Sequence, residues 1–248
     1  MTVKADPTAQ SALLDLQAQD AILAQLQHRK NSLPEIARIV ELQARFKELD
    51  GHRIEHDTAV SDLTRDQKKA DQEVEQVKAR RTRDEERLSS GAVSNPKDLA
   101  SLQHELVALE RRIGTLEDGE LEIMEAIEEA QARLTNVQGD LDAVKAELDE
   151  KMQSRDTAIT QIDLQAAEAQ TERESTAATV PADLITLYDK LRAQYGVGAA
   201  ALRARRCEGC RLEINGADLR ELKAAPEDEV LRCPECSRIL VRTPESGL

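Results

Sequence analysis

The chain has 248 residues, with 34 Lys and Arg against 48 Asp and Glu, for a formal net charge of -14. Aromatic residues make up 1% of it, which is too few bulky rings to fill a thick core. A composition led by Ala, Leu, Glu, Gln and Arg instead suits long helices that bury a narrow seam. From Arg203 onward acidic and basic residues balance, nine of each, so the excess negative charge lies before Arg203 and should repel a phosphate backbone there.

The start, MTVKADPTAQ, has no apolar run of the kind found in signal peptides. No segment approaches the ~18 apolar residues of a membrane span. The expected location is cytoplasmic, without a membrane partner.

Residues 7–31 read as a helix, with Asp6 as N-cap, Pro7 at the first helical position and an apolar stripe of Leu13, Leu16, Leu23 and Leu26. Ser32-Leu33-Pro34-Glu35 interrupts it. Pro34 cannot donate an interior helical hydrogen bond, and Ser32 with Glu35 has the spacing of a capping box. A second helix, 34–89, carries a heptad series: Ile39, Leu42, Phe46, Leu49, Arg53, His56, Val60, Leu63, Gln67, Ala70, Val74, Val77, Arg81, Asp84 and Leu88. Ser89-Ser90-Gly91 ends it, and Asn95-Pro96 caps and starts the next.

The third helix, 96–177, has a cleaner series: Leu99, Leu102, Leu106, Leu109, Ile113, Leu116, Glu120, Ile123, Ile127, Ala130, Leu134, Val137, Leu141, Val144 and Leu148. It then slips by one residue to Met152, Ile159, Ile162, Ala166 and Ala169. So short a connection between two long helices makes them antiparallel neighbours. Opposed residues should then have numbers adding to about 187, which sets Val74 against Ile113, Gln67 against Glu120 and Phe46 against Leu141, with the first helix covering the rest of the long arm. The expected organisation is a hairpin over 1–177, with its tip near 90–96 and a break near 32–34, and a module over 181–248. A linker at 176–180 joins them. The module opens with a short helix from Pro181 to about Ala193, whose apolar face is Leu184, Ile185, Leu187, Tyr188 and Leu191.

The module holds all four cysteines of the chain, as Cys207-Glu208-Gly209-Cys210 and Cys233-Pro234-Glu235-Cys236. Two residues between cysteines let a tight turn aim both thiolates at one point, and two such turns complete a tetrahedron around Zn²⁺. The reading is a single structural zinc ion in a zinc ribbon. Short strands are expected around 200–206, 212–214, 230–232 and 239–241, and a helical turn at 218–224. A redox CxxC pair and an iron centre are the other chemistries open to such cysteines. The redox role calls for an activated thiol, usually on a βαβ scaffold that the pattern lacks. Four thiolates leave zinc no open position for catalysis. His28, His52 and His104 read as surface residues and His56 as a seam residue.

Arginines crowd these cysteines. Arg205, Arg206, Arg211, Arg232 and Arg238 are the candidates for contact with a partner or a nucleic acid. The other reading is compensation of the net -2 charge of Zn²⁺ with four thiolates. No phosphate-binding glycine loop or Ser/His/Asp grouping is present, so the chain reads as a non-enzyme.

These features resemble the bacterial C4-type zinc-ribbon proteins with an N-terminal coiled-coil hairpin. The resemblance rests on Cys207-Glu208-Gly209-Cys210, on Cys233-Pro234-Glu235-Cys236-Ser237-Arg238-Ile239-Leu240, and on the tip Asn95-Pro96-Lys97-Asp98-Leu99 with Leu102-Gln103-His104-Glu105-Leu106. The family usually has Gly where this chain has Ser237. The resemblance implies a mainly α fold, a long antiparallel coiled-coil hairpin with a small C-terminal β module. It also implies a zinc-binding adaptor or chaperone-like role, with partners in transcription or secretion machinery. A nucleic-acid-binding regulator, using RNA or DNA at the Arg-rich ribbon, is the alternative. The expected state is a monomer or weak dimer.

Overall fold

The computed structural model describes residues 3–248. Its elements are α1 (Pro7–Asn31), α2 (Pro34–Ser89), α3 (Pro96–Ala177), α4 (Ala182–Tyr195), β1 (Ala199–Arg203), β2 (Arg206–Cys207), α5 (Gly216–Ala224), β3 (Leu231–Arg232) and β4 (Ile239–Val241). None of the described helices is long and apolar enough to cross a membrane. The chain forms two compact units, Ala37–Met152 and Met1–Ile36 with Gln153–Leu248.

The unit over 37–152 is an antiparallel pair of helical arms. Every expected seam position of α2 from Ile39 to Leu88, and of α3 from Leu99 to Leu148, is buried or half-buried. The direction is fixed by ion pairs between the arms: Arg38 with Glu147 at 2.8 Å, Lys78 with Glu117 at 2.7 Å and Arg81 with Glu110 at 2.9 Å. Numbers rise along one arm as they fall along the other, and a sum near 187 lies within the range these pairs span. Gln67 and Glu120 both sit half-buried in the seam. Glu120 hydrogen-bonds Asp71, which with burial holds its carboxyl above the ordinary value. The tip follows the sequence closely. Gly91 takes φ +70°, and the Asn95 side chain accepts from the Lys97 N–H at 3.0 Å.

The other unit begins with α1, whose first turn is capped by Asp6 accepting from the Ala9 N–H at 2.9 Å. The capping box expected at Ser32 and Glu35 does not form. The Ser32 hydroxyl donates back to the His28 carbonyl at 2.8 Å and closes α1, while Glu35 accepts from the Ser154 hydroxyl at 3.2 Å. Only Leu33 separates Ser32 from Pro34, so Ser32 sits at the C-cap of α1 with its N–H on the His28 and Arg29 carbonyls.

Helix α1 is shared between two cores. Its second half packs on α3, with Leu26, and Leu33 just beyond the helix end, against Ile162. Its first half packs on α4 and the sheet, where Leu13 and Leu16 meet Leu184, Tyr188, Leu191, Ala199, Ile239 and Val241. That core gathers α1 and the C-terminal elements into one compact unit. The connection at 178–180 belongs to it as well. The Thr179 and Val180 N–H groups bond back to Thr176 and Ala177, and Val180 is buried.

The sheet has the order β2-β1-β4-β3, with β1 and β4 parallel and the outer pairs antiparallel. Residues 212–214, expected as a strand, make only one bridge, between Arg206 and Glu213. The chain turns away at once, because Asn215 caps α5 by accepting from the Ala217 and Asp218 N–H groups at 3.0 Å.

Candidate metal centre

Each cysteine pair lies in a turn of the same construction. In the first, the Arg211 N–H donates to the Cys207 carbonyl at 2.7 Å and the Cys207 N–H to the Leu212 carbonyl at 3.1 Å. In the second, the Ser237 N–H donates to the Cys233 carbonyl and the Cys233 N–H to the Arg238 carbonyl, both at 2.9 Å. The residue after the second cysteine is left-handed in both, Arg211 at φ +62° and Ser237 at φ +61°. A side chain in that conformation costs about 1 kcal/mol relative to glycine, so the turns hold their shape against local strain.

The two turns bring the four Sγ atoms within 4.8 Å of one another. Cys207 and Cys236 are 3.9 Å apart, as are Cys210 and Cys233. A tetrahedron with Zn–S bonds of ~2.3 Å has S···S edges of ~3.8 Å, so these two edges already match a zinc ion and the others would close by about 1 Å at most. The same separations are far beyond a disulfide bond of ~2.05 Å.

The thiols also show how a charged shell would be held. Burial raises the Cys207 thiol, against N–H groups of Cys210 and Gly209 that lower it. Burial pushes Cys233 up to about 12, opposed by N–H groups of Cys236 and Glu235. For Cys236 burial is outweighed by the backbone and side chain of Arg238, and the thiol falls to about 7. Backbone N–H groups thus carry most of the compensation, and among the crowding arginines Arg238 joins them.

The five candidate contact arginines divide. Arg238 reaches the carbonyls of Val197 and Tyr195 at 3.2 Å and lies over the Tyr195 ring. Arg232 donates to the Ser237 carbonyl and Arg205 to the Gly247 carbonyl. Arg206 and Arg211 are exposed, with no side-chain partner among the described residues. His28, His52 and His104 are exposed and His56 half-buried in the seam.

The sequence reading missed the polar centre of this unit. Asp20, buried in α1, accepts from Tyr188 Oη at 2.6 Å and Arg173 Nε at 2.7 Å, and pairs with Arg192 Nε at 3.1 Å. Gln17 Oε1 accepts from the Gly198 N–H at 2.8 Å, which ties α1 to the entry of β1. Burial and the Asp20 hydrogen bond raise the Tyr188 hydroxyl far above its ordinary value. A Cβ on Gly198 would stand 2.7 Å from the Tyr188 ring, so only glycine fits there. The signal was present, since Asp20 occupies the stripe between Leu16 and Leu23, where an apolar residue is expected. A cavity of about 730 Å³ opens beside Asp20, Arg173, Asp189 and Arg192, whose two carboxylates and two guanidinium groups balance.

Comparison with known proteins agrees with this geometry. A family model described as a CT398-like coiled coil hairpin domain matches residues 16–196, and a C4-type zinc ribbon domain matches 206–240. The chain belongs to the CT398-like coiled-coil hairpin family. Within it, a protein of Mycobacterium tuberculosis is 38% identical over 240 residues, covering 97% of this chain and 98% of the relative. A solved structure from Mycobacterium smegmatis is 36% identical with a TM-score of 0.84, covering 97% of this chain and 100% of that one. The structure of CT398 from Chlamydia trachomatis, 17% identical with a TM-score of 0.67 and covering 95% of this chain and 98% of its own, shares the fold.

Proposed function

We propose that this protein is a non-enzymatic, cytoplasmic adaptor that binds one structural zinc ion and docks partner proteins through its coiled coil and zinc ribbon. The observation that carries the reading is the closed donor set. Four cysteine sulfurs within 4.8 Å of one another, two of their edges at 3.9 Å, would leave zinc no position for water or substrate, so the metal acts on the fold. Beneath it lies a ribbon core of few side chains, Leu202, Ile214, Leu231 and Leu240 among them. A module of that size draws its folding energy from the metal. Partners in transcription or secretion machinery are part of this proposal, and the family resemblance is what supports them.

Affinity capture from native lysate tests this reading, with the intact protein and a Cys233→Ser variant compared with and without nuclease. Proteins retained after nuclease and lost with the variant are the expected result. A second reading, a nucleic-acid-binding regulator, draws on the unpartnered Arg206 and Arg211. Its mark is captured RNA or DNA, with protein partners that vanish on nuclease treatment.

A further inference from the structure

On α4, Asp189 and Arg192 stand three residues apart, a spacing that makes side chains neighbours on one helix face. Elsewhere in the chain the same spacing closes into ion pairs: Asp50 with Arg53 at 2.9 Å, Asp62 with Arg65 at 2.8 Å and Asp66 with Lys69 at 2.9 Å. Asp189 and Arg192 do not close. Arg173 Nη2 of α3 donates to Asp189 Oδ1 at 3.0 Å, and buried Asp20 of α1 holds Arg192 Nε at 3.1 Å. The two α4 side chains are thus held apart by groups on two other helices.

Each keeps bonding capacity unused. Asp189 Oδ2 accepts no hydrogen bond among the described residues, and neither the Arg192 Nη groups nor Arg173 Nη1 donates one. Asp20 is already filled, with Arg173 on Oδ1 and both Tyr188 and Arg192 on Oδ2. Asp189, Arg173 and Arg192 line the cavity of about 730 Å³, and small-molecule sites span ~300–1,000 Å³. Half-buried Leu23, with Ala24 and Ala193, adds an apolar wall.

These groups select a ligand class. Free guanidinium N–H groups take a carboxylate, and a free carboxylate oxygen takes an ammonium. The charges lining the cavity sum to zero, two of each sign, so a lone anion or cation leaves one sign unmatched. A zwitterion matches both. An α-amino acid carries its ammonium and carboxylate on one carbon, which suits partners that are neighbours on one helix face. We propose that this cavity binds a free α-amino acid with an aliphatic side chain. Its carboxylate meets the Nη groups of Arg192 and Arg173, its ammonium meets Asp189, and its side chain lies against Leu23, Ala24 and Ala193. Asp189 is 49% exposed, so part of the site is solvated and the affinity is weak, about 1 mM. None of the cysteines lines the cavity, and the site stands whether or not the adaptor reading does.

Titration calorimetry of the full chain with L-leucine tests this. Binding at one site is expected, with N-acetyl-leucine, which lacks the ammonium, and leucinamide, which lacks the carboxylate, each weaker by about tenfold or more. Asp189→Asn removes the ammonium partner, and Ala193→Trp fills the cavity from an exposed position. Each weakens L-leucine binding by about tenfold or more, while unchanged circular dichroism shows that the variants fold. No binding up to about 20 mM L-leucine overturns the proposal. Binding that both analogues match, or that the two variants leave intact, overturns it as well. Inorganic phosphate that binds where L-leucine does not, and is lost with Arg192→Gln but kept with Asp189→Asn, assigns the cavity to a simple anion and overturns it equally.

Discussion

The coil over 37–152 and the unit that holds the ribbon are stabilised in different ways. In the coil, α2 buries only Ile39, Leu42, Leu49 and Val74, and its cross-arm ion pairs are exposed. Each contact is weak and repeated along the seam, so no single residue decides the fold. In the other unit the decisive contacts are few and long-range. Four thiols, one buried carboxylate and a glycine against a tyrosine ring bring together segments far apart in sequence. The first design spreads damage along its length, while the second concentrates it.

Metal removal should break this contrast most sharply. Chelation is expected to abolish hydrogen-exchange protection at the two cysteine turns, 207–212 and 233–238, and leave the helical circular dichroism of the long arms in place, since a zinc ion with the proposed structural role supplies folding energy only to the module that holds it. Acid should act in the same direction. The metal-free thiols of Cys207 and Cys233 are raised, so zinc must displace protons to bind them. Affinity therefore falls as pH falls, and competition with a zinc-sensitive dye across neutral pH measures the slope. A pH-independent affinity would show that the thiols are not the ligands.

Asp20→Ala comes next in size. It strands Tyr188, Arg173 and Arg192 at once, and a broken buried pair costs about 3–5 kcal/mol. Arg192 is 35% exposed and recovers some hydration, so a loss of about 2–3 kcal/mol is expected by chemical denaturation. Removing Glu117 from its exposed pair with Lys78 should leave the same measurement unchanged.

The smallest effect has the opposite sign. Ser237 holds φ +61° where glycine is at ease, so Ser237→Gly should stabilise the ribbon by up to about 1 kcal/mol, seen as a higher chelator concentration at half-loss of zinc. A loss of stability would mean that the Ser237 side chain makes a contribution the turn geometry does not account for.

What was legible in the sequence follows the same division. The arms could be read in detail because coiled-coil burial repeats locally. From Ile39 to Leu88 and from Leu99 to Leu148 each expected seam position is withdrawn from solvent, polar ones such as Arg53 and Glu120 included. The cysteines were legible because their spacing encodes the turns. The docking of α1 on α4 was not, because helical periodicity says which residues are buried and not which element buries them. Leu13 and Leu16 read equally well against α3. Asp20 lay on the apolar stripe, but its partners Arg173, Tyr188 and Arg192 are more than 150 residues away, and no local pattern links them. The strand expected at 212–214 failed because Asn215 competes for the chain as a helix cap.

All four cysteines are expected to close on one zinc ion. X-ray absorption at the zinc edge of the purified full chain, combined with native mass spectrometry, tests it directly. One zinc per chain, with four sulfur neighbours at ~2.3 Å and none from nitrogen or oxygen, is the predicted result. A chain that binds no zinc, or a shell with an oxygen or nitrogen in place of a thiolate, would contradict the closed structural site on which the account depends.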